Sequence, residues 1–412
     1  MMGRRLHGTV TLPGSKSESN RALMIAAYGG FQPEFENVSE AHDTVLLQSL
    51  LEKVNHHGSS DVVKMDCEDA GTVSRFMMTY LAGVPGEWLL TGKERLQQRP
   101  MAPLIKALRQ LGADMTCLEK EGCLPLLIRG KKLKGGHASL DASQSSQFIS
   151  SLLLAAPTWE NGLQLTLTAE TVSGPYIDMT LSMMDYFGVR VIRNKEVISV
   201  AHQLYHPCRF TVSADWSAAS YWYEMMALSA GGSLLLKGLH RDTLQGDVLV
   251  TELFKELGVD TVFVDDGALI TSTGSFTPAQ TPLEFDFSDT PDLFPSVFVT
   301  CVALHISTVF KGISTLYHKE SDRVNCLVSE LSKIYTFNSI INNNSIILEK
   351  SLLSDNKSNN NKIVFNTYYD HRLAMALMGL SIKHNQVEID HRDVVNKSYP
   401  AFWDEVHKMG LK

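Results

Sequence analysis

Apolar residues recur along this chain at two spacings, and the spacing switches repeatedly. Strand-like alternation runs from Gly8 to Leu12. Helical spacing follows over Asn20 to Tyr28 and over His42 to Val54, where Val45, Leu46, Ser49 and Leu50 recur at helical intervals. A helix opens at Gly71-Thr72-Val73-Ser74-Arg75 and runs to about Ala82, with the strand WLLTG after it. Pro103 to Leu111 is predicted as an amphipathic helix ended by Gly112. The strands ADMTCLE and LPLLIRG and the segment ASLDAS come next, then a helix over Ser145 to Ala156, a strand LQLTLTA and a helix over Tyr176 to Phe187 stopped by Gly188. The second half repeats the alternation, with helices over Ala218 to Ser229, Asp247 to Leu257, Pro291 to His305, Ser321 to Ser332 and His371 to Gly379, separated by strands such as SLLLKG and VEID.

The runs LMIAA, FMMTYLA and LLLAA are too apolar for helices with one face in water, so the pattern predicts helices buried inside each domain with sheets outside them. No GxGxxG follows an early strand, which rejects a dinucleotide-binding half. From Asn338 to Lys362 the alternation dissolves into asparagine, serine, isoleucine and leucine. Only Ile346 to Leu348 reads as a clear β run there, and an external hairpin with a variable turn near Asp355 to Asn361 is expected.

Length and charge narrow the picture. The chain has 412 residues, beyond the roughly 250–300 at which a single core stops growing, so two domains are expected. Lys and Arg number 37 against 45 Asp and Glu, a net charge of −8. That balance disfavours a nucleic-acid or anionic-membrane binder without restricting the local potential of a cleft. No apolar run reaches the roughly 20 residues of a membrane span, and the N-terminus lacks a signal-peptide pattern, so a cytoplasmic protein is expected. The six cysteines fall in no CxxC or zinc-ligand spacing and read as reduced thiols, and the 14 histidines form no metal site.

Candidate chemistry gathers where strands give way to helices. Lys16 and Arg21 in PGSKSESNR follow a strand and open a helix, where small residues and free amides suit an anion, although the Walker A spacing is absent. Asp69-Ala70-Gly71-Thr72, with Arg75 a turn later, and Ser145-Ser146-Gln147 are two more such openings. Each alone could be ordinary capping. Arg99, Lys319-Glu320-Ser321-Asp322-Arg323, Asp370-His371-Arg372 and Lys397 add cations at further junctions in both halves. A two-domain enzyme that closes a cationic cleft over small anionic substrates fits this set, with Asp292 and Glu320 as proton handlers. Spacing alone carries the reading no further.

The segments LPGSKSESNRAL, DAGTVSR, QQRPMAPL, SSQFISSLLLAAP, SGPYIDMT, KESDR, YDHRLAMAL and NKSYPAFW, in this order from about residue 7 to residue 408, resemble the EPSP synthase family of enolpyruvyl transferases. The resemblance implies a two-domain inside-out α/β fold, each domain built of three βαβαββ units. It implies that residues 1–14 belong with the C-terminal domain 214–412 and that 15–213 form the N-terminal domain, with the active site in the interdomain cleft. It also implies transfer of the enolpyruvyl group of phosphoenolpyruvate to the 5-hydroxyl of shikimate 3-phosphate, in a monomer that needs no cofactor.

By carry-over, Ser145, Ser146, Ser173 and Lys319 hold the 3-phosphate, while Lys16, Ser17, Arg21, Gln147, Tyr176 and Asp292 surround the ring. Lys16, Gly71, Arg99, Gln147 and Lys397 meet the donor, and Arg323 and Arg372 grip its carboxylate. Asp292 is the base toward the hydroxyl, with Glu320 and Lys16 moving protons at the enolpyruvyl carbon. The sequence departs from the family's pattern at Asp69, where Asn is usual, at Phe76 in place of a proline, and at Gly174 in place of a basic residue. The sister enzyme that acts on UDP-N-acetylglucosamine is the nearest alternative. It commonly carries a loop cysteine that Gly92 to Pro100 lacks. A noncatalytic anion-binding protein would have no need of the paired carboxylates.

Overall fold

The computed structural model describes residues 4–56, 61–276, 282–350, 352–353 and 362–411. The chain forms two compact units, one of residues 1–15 with 213–412 and one of residues 16–212. The first strand, Leu6–Thr11, therefore pairs far along the chain, parallel to Gly232–Lys237. The two passages between the units run antiparallel: Gly14 bridges Ala214, Ser15 N donates to Ser213 O at 2.8 Å, and Asp215 N donates to Pro13 O at 2.9 Å.

One construction recurs in four four-stranded sheets. In the unit of residues 16–212, Val63–Asp66 lies parallel to Gly86–Thr91, which continues antiparallel through Leu126–Gly130 to Asp114–Cys117. Gly136–Leu140, Leu163–Leu167, Val197–Val200 and Val191–Asn194 repeat that order. In the other unit it recurs for the sheet begun by Leu6–Thr11 and for Leu283–Asp286, Thr308–Lys311, Ser345–Leu348 and Ser339–Asn342. A parallel first pair needs a helical crossover, and the closing hairpin does not. Each sheet is thus a βαβαββ product. The third repeat of each unit is reduced to a two-stranded parallel pair, Phe35–Glu36 with Phe210–Thr211 and Ile363–Phe365 with Val387–Ile389.

The helices divide into two kinds for a sequence reason. Trp216–Leu228, Phe294–Ala303 and His371–Gly379 are buried at every position, and Ser146–Ala155 at nearly every one, because their sequences are apolar all round. Arg323–Leu331 buries only Arg323, Val324, Leu327, Glu330 and Leu331, a single stripe. Strands alternate instead: Leu163, Leu165 and Leu167 are buried while Gln164 and Thr166 face outward. Helices occupy the centre of each unit and sheets wrap them, as the apolar runs predict.

The structure differs from the sequence reading in a few places. Among its described residues Asn338 to Lys362 contains three paired strands rather than one: Ile340 sits opposite Ile347 and Ile341 opposite Ile346, and Leu352–Leu353 pairs with Tyr335–Thr336. The intervening asparagines mask that alternation in sequence. The turn expected at Asp355 to Asn361 lies outside the described residues. The charged loop at Gly92 contains a short helix, Glu94–Gln98, and the C-terminal segment forms Arg392–Lys397 as a 3-10 helix and Phe402–Lys408 as an α-helix. All six cysteines are free thiols.

One buried group opposes the fold. Glu224 lies within the Trp216–Leu228 helix with no exposure, and neither carboxyl oxygen has a hydrogen-bond partner among the described residues. Gly379 makes room for it, since a Cβ there would stand 2.3 Å from Oε1. Burial holds the Glu224 carboxyl protonated well above the ordinary carboxylate range. The unfolded chain releases that proton near the ordinary range and the folded chain retains it, so folding stability falls as pH rises from the ordinary value toward the raised one. Glu224→Met should gain about 2 kcal/mol at pH 8 and less at pH 5, measured as the difference in Tm from the parent. A gap that shrinks with rising pH would mean that Glu224 is ionised in the fold.

Candidate active site

Nearly every candidate residue sits at the first turn of a helix or just before it. In the unit of residues 16–212, Lys16 begins the helix Lys16–Gly29 and its Nζ lies 2.9 Å from Oδ2 of Asp43, a buried carboxylate of the His42–Asn55 helix. Arg21, five residues on, is 1% exposed. Its Nε donates to Thr180 Oγ1 at 2.8 Å, and its terminal nitrogens donate to Ser17 O, Ser150 Oγ and Tyr176 O at 2.9, 3.2 and 3.1 Å. Burial lowers its pKa to about 10, still a full cation at neutral pH. Arg21 therefore ties Lys16–Gly29 to the Ser146–Ala155 and Gly174–Tyr186 helices.

Those helices begin at the expected serines. Ser145 caps Ser146–Ala155, its Oγ accepting from Gln147 N at 3.3 Å, and Ser146 is buried beside it. Ser173 precedes Gly174–Tyr186 with φ +55°, a left-handed conformation uncommon for a residue with a Cβ, and its carbonyl accepts from Tyr176 N at 3.1 Å. Gln147 is held at both ends of its amide. Arg75 Nη1 donates to Oε1 at 2.7 Å, and Nε2 donates to Thr72 Oγ1 at 2.9 Å. Gly71 is small for a reason visible here: a Cβ would lie 2.5 Å from Arg99 Nη1 and 2.6 Å from Arg75 Nη1. Two guanidinium groups thus press against one backbone position at a helix start.

The other unit holds a denser cluster. Arg323, 1% exposed, spreads its fork over three carboxylates: Nε to Asp370 Oδ2, Nη1 to Asp292 Oδ1 and Nη2 to Glu320 Oε2, each at 2.9 Å. Arg372 Nη2 meets the second oxygen of Asp292 at 2.6 Å, and Lys319 Nζ stands 4.0 Å from the first. Asp370 also accepts from Ser321 Oγ at 3.0 Å and caps the His371–Gly379 helix through Arg372 N at 2.9 Å. Lys397 ends the Arg392–Lys397 turn and is buried.

Electrostatics follow from this packing. Burial pushes the Asp292 carboxyl upward, and Arg372, Lys319 and Arg323 outweigh it and hold Asp292 well below the usual range. Asp247 behaves oppositely. Burial and the nearby Asp292 charge raise it to about 7, although Ser217 Oγ donates to it.

The structure brings Asp292, Lys319, Glu320, Arg323 and Arg372 into one network, and Gly71 together with Arg99. Arg75 links that second group to Gln147. Sequence reasoning missed Asp43 and named Arg75 and Asp370 at helix openings without giving either a role. Asp43, Arg75 and Asp370 each carried a signal, being respectively in a helix first turn, one turn past a glycine-rich opening and at an N-cap before an apolar run. Lys16, Lys319, Arg323 and Arg372, expected as parts of a cationic cleft, each face a carboxylate. Among the described residues no group of three metal-ligating side chains converges.

The profile of EPSP synthase (3-phosphoshikimate 1-carboxyvinyltransferase) matches residues 2–406. The chain belongs to the EPSP synthase family. A 3-phosphoshikimate 1-carboxyvinyltransferase from Bacteroides fragilis is 40% identical over 99% of this chain and 96% of its own, and one from Syntrophobacter fumaroxidans is 32% identical over 97% and 96%. The EPSP synthase structure from Acinetobacter baumannii superposes with a TM-score of 0.74 at 23% identity, covering 100% of this chain and 98% of that one. At that identity the likeness speaks for the fold, and the family rests on the sequence matches.

Asp370 organises the arginine cluster although it is wholly buried, so its loss should be felt in stability. Asp370→Ala removes a helix cap and one of the three anions around a buried guanidinium. It should lower unfolding free energy by about 3 kcal/mol, read from urea denaturation, and Asp370→Asn should recover part of that by restoring the cap.

Proposed function

We infer that the chain transfers the enolpyruvyl group of phosphoenolpyruvate to the 5-hydroxyl of shikimate 3-phosphate, giving 5-enolpyruvylshikimate 3-phosphate and inorganic phosphate on the route to chorismate and the aromatic amino acids. What supports this most is the grip of Arg323 and Arg372 on Asp292 in a chain that matches the family over nearly its whole length. On this reading Ser145, Ser146 and Ser173 take the acceptor's phosphate with Lys319. Ser17, Gln147 and Tyr176 line its ring, with Arg21 bracing them from below, and Asp292 meets its hydroxyl. Lys16, Gly71, Arg99, Gln147 and Lys397 take the donor's phosphate side, and Arg323 and Arg372 its carboxylate. The two sets of residues act on one substrate pair, in a monomer of the cytoplasm.

The chemistry is addition followed by elimination. The 5-oxygen bonds to C2 of the enolpyruvyl unit as its proton leaves, and C3 gains a proton to become a methyl group. The resulting ketal phosphate loses that proton again as the carbon–oxygen bond to phosphate breaks. Asp292 is a poor base while Arg372, Lys319 and Arg323 hold its proton affinity down. A donor carboxylate that takes the arginine hydrogen bonds relieves that hold, so donor binding makes Asp292 basic when the acceptor hydroxyl needs a base. On this reading Glu320, bound to Arg323, and Lys16, bound to Asp43, handle the C3 proton.

Mixing the protein with both substrates should release phosphate in step with a product of the mass of the enolpyruvyl adduct. Release only when UDP-N-acetylglucosamine replaces shikimate 3-phosphate would move the chain to the sister activity. Glu320→Gln should cut kcat about 100-fold or more while shikimate 3-phosphate binding is largely kept, and near-normal turnover would remove its role. Arg372→Ala should raise the KM for phosphoenolpyruvate about tenfold to 100-fold.

A further inference from the structure

Two consecutive bulky residues just before the His371–Gly379 helix adopt left-handed backbone: Tyr368 at φ +52° and Tyr369 at φ +57°. Residues with a Cβ visit this region seldom, and such conformations persist only where surrounding contacts hold them. Here the two side chains diverge to separate anchors. Tyr368 OH donates to Glu330 Oε1 at 2.8 Å, and Glu330 lies fully buried on the helix that Arg323 begins. Tyr369 stacks on His391, ring centroids 4.4 Å apart at 29°.

His391 is itself left-handed, at φ +40°, and precedes the Arg392–Lys397 turn. The loops that carry these rings leave neighbouring parallel strands, Ile363–Phe365 and Val387–Ile389, and a bond from Thr367 N to Asp390 Oδ1 at 2.6 Å ties their starts. One loop leads into the helix whose second residue is Arg372, the other into the turn that ends at Lys397, and Tyr368 anchors to Glu330 near the far end of the helix that Arg323 begins. Tyr369 thus joins the segment that leads to Arg372 to the one that leads to Lys397.

We propose that the Tyr369–His391 stack is a positioning device for the donor site, fixing Arg372 relative to Lys397; this rests on the donor-binding reading of those two residues. Tyr369 and His391 touch no reacting atom on this view. Tyr369 is 64% exposed and the His391 side chain 47%, so removing either ring disturbs little buried contact. The effect belongs on ligand geometry rather than on folding.

The full-length enzyme carrying Tyr369→Ala or His391→Ala should show the KM for phosphoenolpyruvate raised about threefold to tenfold, the range expected for loss of one aromatic pair. The KM for shikimate 3-phosphate and the Tm should stay near the parent values. Tyr369→Phe keeps a ring to stack and should restore the parent KM, and the double alanine variant should be no worse than either single one. An unchanged donor KM in both alanine variants, a phenylalanine variant as impaired as alanine, or equal loss for both substrates with a lowered Tm would each overturn the inference. Arg372→Ala separates the two levels. A raised donor KM there beside normal stack variants sinks the stack alone, whereas an unchanged donor KM in Arg372→Ala sinks the donor reading and any route from the stack through Arg372.

Discussion

A helix enclosed on every side meets few polar partners along its length and carries unpaired amides at its start, and that constraint organises this protein. Ser146–Ala155 and His371–Gly379 are buried along nearly their whole length, so a mid-helix polar group needs a buried partner: Ser150 has Arg21 and Thr180, whereas Glu224 in Trp216–Leu228 has none among the described residues and keeps its proton. The first turn is different. Its amide groups lack intrahelical partners and carry partial positive charge, so hydroxyls, carboxylates and ligands are favoured there. Ser145, Ser173 and Asp370 occupy such positions, and Lys16, Gly71, Gln147, Arg323 and Arg372 lie within a turn of one. The inside-out architecture and the location of the chemistry are one consequence of one composition.

Much of this was legible in the sequence because the signal was local. The helix at His371–Gly379 has the bounds its apolar period predicts, and the helix starts at Gly71 and near Ser145 follow from glycine and serine at the end of a polar stretch. The pairing of Leu6–Thr11 with Gly232–Lys237 was not local, since nothing in either strand's alternation names a partner more than 200 residues away. Family resemblance supplied that link. The Ser339–Asn342 strand was hidden for another reason: asparagine and serine lower strand propensity on both sides of a short isoleucine pair, and cross-strand packing overrides it.

The site was less legible than the fold. Sequence distinguishes cations from anions but not which ones face each other, so the cations at the helix openings read as a cationic cleft. In the folded chain Lys319, Arg323 and Arg372 stand against Asp292, Glu320 and Asp370, three charges of each sign. Partners such as Asp43 and Asp370 are ordinary carboxylates in sequence. Only burial makes them consequential, because an unpaired ion in a low-dielectric interior is costly.

The internal balance of charge is itself informative, because the carboxylates around Arg323 are not equivalent. Asp370 is wholly buried and satisfied by Arg323, Ser321 and the amide of Arg372, so an incoming anion has no route to displace it. Asp292 and Glu320 keep side-chain exposures of 18% and 16% and can yield their hydrogen bonds to a ligand. One anion therefore fixes the arginine, while on the proposed reading the others hold its free edges until the donor carboxylate replaces them. On that reading, a ligand that takes those edges gains a preordered cation without the cost of organising it, and the carboxylates it releases are the two groups proposed to move protons.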